Sequence, residues 1–217
     1  NSIVATTANI KTSQFMKGSN YFDITGRNGA SIINEGEITA KEAGLVGLIA
    51  PNVINNGIIE AKVGRVQLSS ADAVAIDFYG DDLLKVEVKD ENIKKQIVAN
   101  TGILSANGGT VAMSAAAAAK TIDSLIVADG LLEAKTIKQG ENGAIVIAAA
   151  GSNKTTKNGD SYVLVNGKID ASGREEGLQG GVVEILGDHI SITDKAFIDA
   201  SGHSSINNVV SINSSSA

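Results

Sequence analysis

The chain has no cysteine and a single proline, and aromatic residues make up only 3% of its 217 positions. Without cysteine there is no disulfide framework and no thiolate metal site; a chain exported unfolded would carry no bond able to lock a loop closed. With so few rings, the 43% hydrophobic content rests on Val, Ile, Leu and Ala, so the core must be built by stacking aliphatic side chains. Positive charge is also scarce. Three arginines, Arg27, Arg65 and Arg174, a net charge of -6 and a pI near 4.9 leave no basic stripe for nucleic acid. Residues 1–10 lack the basic-then-apolar pattern of a signal peptide. No run reaches the roughly 18 apolar residues of a membrane-spanning helix.

What is abundant is glycine, 24 residues in all, set between short β-branched runs in a way that implies many tight turns at positive φ. The glycines belong to a recurring phrase. It reads Ile33-Asn34-Glu35-Gly36-Glu37-Ile38-Thr39-Ala40 and then, in the same internal spacing, Ile54-Asn55-Asn56-Gly57-Ile58-Ile59-Glu60-Ala61. It returns around Gly102, Gly130 and Gly167, and in degenerate form as Ala196-Phe197-Ile198-Asp199-Ala200. The short step from Gly36 to Gly57 has the length of one solenoid repeat. Within each repeat, apolar residues alternate at period 2 between glycine turns, which suits two or three short strands per coil of a parallel β-helix. The strand spacing of about 4.8 Å gives roughly ten coils a height of about 45–50 Å. Equivalent residues would then stack, Ile38 on Ile59, Gly36 on Gly57, and Asn34 on Asn55 as an amide ladder.

The interruptions are as informative as the repeats. Between Gly57 and Gly102, two alternating arms flank Gly80-Asp81-Asp82, which predicts a β-hairpin over residues 74–89 lying outside the coils. It reads either as a binding flap or as the cover of an apolar face. A second excess, residues 151–160, is a polar Gly- and Asn-rich surface loop. Candidate interaction residues are Phe78, Tyr79, Asp81 and Asp82 in the hairpin and Lys154 and Asn158 in the loop. Residues 115–119, after Ser114, read as one helical turn or as a tight corner, the helix being preferred. Neither end of the chain carries an obvious cap, which marks it as a section of something longer.

Catalytic constellations are thin. His189 and His203 are well separated along the chain with no cysteine beside them, and no metal or cofactor site is implied. Glu175-Glu176 beside Arg174 is the densest charged cluster and sits in a glycine-rich turn. A carbohydrate-active β-helix enzyme, a polysaccharide lyase or hydrolase, is the alternative to a non-catalytic interaction module. The calcium-roll nonapeptide and the strict hexapeptide period are absent. Two Asn-x-Ser/Thr triplets, at Asn153 and Asn213, are what chance gives in so Asn- and Ser-rich a chain.

Taken in order, Ala5-Thr6-Thr7-Ala8-Asn9-Ile10, Gly29-Ala30-Ser31-Ile32-Ile33-Asn34-Glu35-Gly36, Val53-Ile54-Asn55-Asn56-Gly57 and Ala75-Ile76-Asp77-Phe78-Tyr79-Gly80-Asp81-Asp82 resemble the N-terminal region of filamentous-haemagglutinin-like exoproteins of two-partner secretion. Ile169-Asp170-Ala171-Ser172-Gly173 and Ile198-Asp199-Ala200-Ser201-Gly202 are similar to that family's repetitive continuation. The resemblance covers nearly the whole chain. It implies an all-β, right-handed parallel β-helix over residues 1–217 with an extra-helical hairpin. It also implies export through an outer-membrane β-barrel transporter as partner, a secreted or cell-surface location, and adhesion to a host-cell or bacterial receptor or glycan by a monomeric rod without catalysis. The family's opening Asn-Pro-Asn type motif has no counterpart here, since the one proline is Pro51, and Asp82 stands where the family often has Gly.

Overall fold

The computed structural model describes residues 2–27, 29–76, 84–89, 95–116, 123–149, 160–203 and 209–214. Nearly every element among them is a strand, and these strands fall into three parallel sheets plus one small antiparallel sheet. The first sheet holds β1 (Ile3–Thr6), β5 (Leu45–Ala50), β8 (Arg65–Ser70), β13 (Thr110–Ala115), β16 (Ala144–Ala149), β19 (Val182–Gly187) and β22 (Val209–Ser214). The second holds β3 (Ser31–Asn34), β6 (Asn52–Asn55), β11 (Lys95–Asn100), β14 (Asp123–Ala128), β17 (Ser161–Val165) and β20 (His189–Ile192). The third holds β4 (Glu37–Thr39), β7 (Ile58–Glu60), β12 (Ile103–Ser105), β15 (Leu131–Glu133), β18 (Lys168–Asp170) and β21 (Phe197–Asp199). The chain visits second, third and first sheet in turn, and each strand pairs in parallel with its equivalents one coil away. This is the expected parallel β-helix.

Among the described residues six coils form, where ten were expected. The short step from Gly36 to Gly57 is the exception: the later steps carry insertions that use up chain without adding rungs. Those after β8, β13 and β16 all leave from one corner, where the first sheet passes to the second. The rod is therefore about 25–30 Å tall at the usual strand spacing.

The interior is a set of aliphatic columns fixed by register. Ile38, Ile59, Leu104, Leu132, Ile169 and Ile198 stack along the third sheet, and Leu48, Leu68, Met113, Ile147, Ile185 and Ile212 along the first. Most are fully buried in one continuous core, each such side chain contributing about 1.5–3 kcal/mol. Ala40, Ala61, Ala106, Ala134, Ala171 and Ala200 form a further column of small residues, each N–H from Ala40 to Ala171 donating to the carbonyl of the third-sheet strand one coil on. Asn34 Nδ2 donates to Asn55 Oδ1, and Asn55 Nδ2 to Asn100 Oδ1, both at 2.7 Å, so the amide ladder extends one coil further than the two phrases predicted. It ends where Ala128 occupies the next rung.

The repeated glycines have a different cause from the one composition suggested. None of Gly36, Gly57, Gly102, Gly130 and Gly167 is at positive φ. Instead, a Cβ on Gly57 would lie 2.0 Å from the Gly36 carbonyl oxygen, and one on Gly102 2.0 Å from that of Gly57. The backbones pack too closely for a side chain. A second column repeats this at the other end of the third sheet, where a Cβ on Gly64 would lie 2.0 Å from Gly44 O. Positive φ occurs one residue earlier, at Ala43 (56°) and Val63 (55°), with Gly108 at 76° in the equivalent place.

Outside the coils, β9 (Ala73–Ile76) pairs antiparallel with β10 (Leu84–Glu87), the extra-helical hairpin expected over residues 74–89. The sequence did not reveal its third strand, β2 (Tyr21–Phe22), which pairs with β9 from the other side. Val74, Ile76, Phe22, Leu84 and Val86 close over Ile49, a second apolar cluster on the outer face of the first sheet. Leu84 fills the space above Gly47, its Cδ1 2.6 Å from where a Cβ would stand. The described part of the hairpin is thus a cover. The N-terminal stretch also revises the expectation of an uncapped end: β1 lies along β5 and occupies the otherwise free edge of the first sheet. The chain then makes the one-turn helix α1 (Thr12–Phe15) and an antiparallel bridge between Asn9 and Ile24. At residues 115–119, Ala115 ends β13 and Ser114 lies inside it, bonded to Ser69 Oγ at 2.8 Å. Ser114 is therefore no helix cap, and residues 117–119 lie outside the described set.

Candidate interaction surfaces

The hairpin residues Phe78, Tyr79, Asp81 and Asp82 and the loop residues Lys154 and Asn158 lie outside the described residues. The strands that launch them are described. β9 stops at Ile76 and β10 resumes at Leu84, while β16 stops at Ala149 and β17 starts at Ser161. The hairpin base is held by polar contacts from the N-terminal segment. Tyr21 Oη donates to Glu87 Oε2 at 2.9 Å, the Lys89 ammonium lies 4.4 Å from the Tyr21 ring centre, and the Lys89 N–H donates to Asp72 Oδ1 at 2.7 Å.

Two further surfaces carry chemistry that the linear sequence did not single out. The first lies on the third sheet, whose outer column runs Glu60, Ser105, Glu133, Asp170, Asp199. Acidic residues about 4.8 Å apart repel one another. Here cations lie between them. The fully buried Asp170 accepts hydrogen bonds at Oδ1 from Ser172 Oγ (2.6 Å) and the Ser172 N–H (3.1 Å). Its Oδ2 accepts no well-aligned hydrogen bond and is held by charge, with Lys168 Nζ at 3.0 Å, Arg174 Nη2 at 3.7 Å and Lys135 Nζ at 3.8 Å. Burial pushes this carboxyl up, but the Ser172 hydroxyl, the Lys168 ammonium, the Ser172 N–H and the Lys135 charge together hold it below the usual carboxylate value. Asp199 repeats the motif one coil on with Ser201 and shares Arg174 at 3.0 Å. Arg174 is thus committed to two aspartates of the coil wall, and Glu175 and Glu176 are exposed on the turn beyond. The repeated Asp-Ala-Ser-Gly phrase, with Lys168 before it and Arg174 after it, was the available signal; what it could not show is that Lys135 of the preceding coil also meets Asp170 and that Arg174 also reaches Asp199 of the next.

The second surface is on the second sheet. Tyr162 and His189 are far apart in sequence but occupy adjacent rungs, and their rings stack at 4.7 Å with planes 16° apart. Tyr162 Oη donates to Asp160 Oδ2 at 3.2 Å, and this bond and charge raise the phenol pKa. Asp160 Oδ2 lies 3.9 Å from His189 Nε2. Beside Tyr162 a cleft of about 280 Å³ is lined by Lys95, Gln96, Ile97, Asp123, Ser124 and Leu125. His203 is elsewhere, in a turn where its N–H donates to the Gly173 and Leu178 carbonyls. Among the described residues no group of three or more His, Asp or Glu side chains is placed to hold a metal ion. No helix among them is long and apolar enough to cross a membrane.

No protein-family model and no curated protein sequence matches the chain. A solved structure does. The chain is similar to the HMW1 secretion domain from Haemophilus influenzae, at 25% identity and a TM-score of 0.69, over 93% of its own length. That is a secretion domain of a two-partner exoprotein. The resemblance read from the ordered phrases is borne out by this likeness, which is to a secretion domain and not to an enzyme family. The chain spans 49% of the length of the HMW1 chain it matches.

Proposed function

We propose that this chain is the secretion and scaffold section of a large bacterial exoprotein. In this reading it is exported through an outer-membrane β-barrel transporter and ends outside the cell as an adhesin rod without catalysis of its own. The observation that carries the proposal is the likeness to the HMW1 secretion domain over 93% of the chain. The physical design agrees with it. A cysteine-free chain crosses a membrane unfolded without oxidative crosslinks, and a solenoid folds by adding each coil to the one before. The early coils, with their amide ladder and antiparallel cover, supply a template on which later coils register. Phe78, Tyr79, Asp81 and Asp82 of the hairpin and Lys154 and Asn158 of the 151–160 loop are then the side chains the rod presents to a host-cell or bacterial surface receptor or glycan.

The export arm is tested by secreting the chain, fused to a reporter, with and without its cognate barrel. Release should require the barrel and should fall to background in Ile59→Asp. Ile59 is fully buried, so the carboxylate costs about 4 kcal/mol or more. Release without any barrel, or undiminished release of Ile59→Asp, would sink the proposal. The adhesive arm is read by binding of the purified rod to cells, which Phe78→Ala with Tyr79→Ala should weaken.

A further inference from the structure

The outer faces of the three sheets are not alike. Those of the first and third sheets carry charged side chains, Arg65 and Glu184 on one and Glu60, Glu133, Lys168 and Asp199 on the other. The middle of the second sheet's outer face has two ladders, and neither contains Asp, Glu, Lys or Arg. One ladder runs through Leu125 and Tyr162 to His189, the other through Ile33, Ile54 and Leu164. Ile33 is 54% exposed, Tyr162 42% and Leu125 38%. The apolar positions of the two ladders adjoin across β11, β14 and β17, bounded by Ser31 and Asn52 at one end and by His189 and Ser191 at the other.

The dimensions of this face narrow the occupant. Six strands about 4.8 Å apart and two outward positions per strand give the two ladders together roughly 25 Å by 10 Å, some 250 Å², of which the apolar positions are about two thirds. A stable protein interface needs about 800 Å² from each partner, so neither a second copy nor a folded partner fits this face well. An extended peptide would need a free backbone edge; among the described residues only β3 and β20 at the ends of the sheet have one, whereas β11, β14 and β17, which carry Ile97, Leu125 and Tyr162, have both edges paired. The face offers side chains only. They are apolar along the middle and charged at one margin, where Lys95 and Asp123 line the cleft beside Tyr162; Gln96 and Ser124 beneath them are buried, the Gln96 amide donating to the Ser70 and Ala116 carbonyls. Apolar surface flanked by convergent donors and acceptors is the chemistry of a small-ligand site, and aromatic and aliphatic ladders suit the C–H faces of pyranose rings.

The geometry points to the outer face of the second sheet, from the Lys95–Asp123 margin across Leu125 and Tyr162, as a binding groove for an uncharged linear oligosaccharide lying along the rod. This deepens the adhesin reading and rests on it, adding a glycan-binding sheet face to the hairpin and loop. The strand spacing is close to the advance of one sugar per residue in an extended β-linked chain, so successive rings meet successive rungs.

The test is titration of the purified 217-residue chain with cellohexaose and chitohexaose, followed by amide shifts in two-dimensional NMR. Saturable shifts on β11, β14 and β17 are expected, with Kd roughly 0.1–1 mM for one or both sugars. Tyr162→Ala and Leu125→Glu should each weaken binding about tenfold or more. Phe197→Ala, an exposed ring on the third sheet, should leave it unchanged. Since all three side chains are partly in solvent, thermal unfolding should confirm that the variants stay folded. Absence of saturable shifts up to roughly 10 mM sugar, or binding that survives both Tyr162→Ala and Leu125→Glu, overturns the proposal. So does concentration-dependent dimerisation abolished by Leu125→Glu, which would assign the face to a second copy. Because the titration uses purified protein, a rod that is exported and binds cells yet ignores both sugars refutes the groove alone. Failure of export refutes the wider reading and leaves the titration standing.

Discussion

The first three coils and the last three share the same aliphatic columns but are locked by opposite means. In the early coils, Asn34, Asn55 and Asn100 bond to one another inside the wall, and an antiparallel sheet seals Ile49 from outside. In the late coils the amide position is taken by Ala128, Val165 and Ile192, the first sheet's outer face has no such cover among the described residues, and a charged lattice around Asp170 and Asp199 ties rungs together. The core sets the fold in both halves. What differs is the dependence on solution conditions: neutral amide bonds ignore pH and salt, whereas ion pairs respond to both. A chain that must begin folding as it emerges would gain from having its condition-independent lock in the coils nearer the N-terminus.

The comparison breaks most severely at the glycine column. Gly57→Ala places a Cβ 2.0 Å from Gly36 O, whereas a Cβ on Gly36 itself meets nothing within 4 Å. Gly57→Ala should cost about 3 kcal/mol or more in urea unfolding, and Gly36→Ala should be within about 0.5 kcal/mol of the parent. Equal effects would mean that conformational freedom, not close approach, selects glycine there. Next in size is Asn55→Ala, which removes the middle of the ladder and leaves Asn100 Oδ1 without its amide donor; a loss of about 2 kcal/mol is expected, independent of pH between about 4 and 8. The smallest effect belongs to the late coils. The Asp170 carboxyl titrates below its ordinary value when folded, so its stabilisation is fully present above the unfolded value of about 3.9 and is lost as pH falls through the folded one. Asp170→Asn should lower Tm at neutral pH by about 2–4 °C and flatten the fall in stability below about pH 4. A slope identical to the parent's would show that Asp170 does not link these coils to pH.

Much of the coil was readable because its causes are local and periodic. Alternation at period 2 placed Ile38 and Ile59 inward, and equal spacing in two phrases was enough to stack Asn34 on Asn55. The hairpin arms were readable for the same reason, as alternating runs around a turn. The coil number was not, since two well-spaced phrases say nothing about how much chain later insertions consume. The partner of β9 was hidden because β2 lies two coils earlier in the chain and is no longer than the pair Tyr21–Phe22. The ring stack and the inter-coil part of the charge cluster were hidden too. Tyr162 meets His189, and Asp170 meets Lys135, only because a completed coil brings them one rung apart.

By itself, then, the amino-acid order determined that this chain winds into a parallel β-helix, which residues face its interior, and roughly where it departs from the repeat. Those properties follow from side-chain alternation and from the need to stack like on like. Only the tertiary structure decided why the glycines are glycines, how the hairpin is sealed, that Lys135 of the preceding coil joins Lys168 and Arg174 at the buried carboxylate, and that the middle of one outer face is left free of charge. Each depends on contacts between coils, and the distance between coils is set by backbone hydrogen bonds across the sheets, not by any residue's neighbours in sequence.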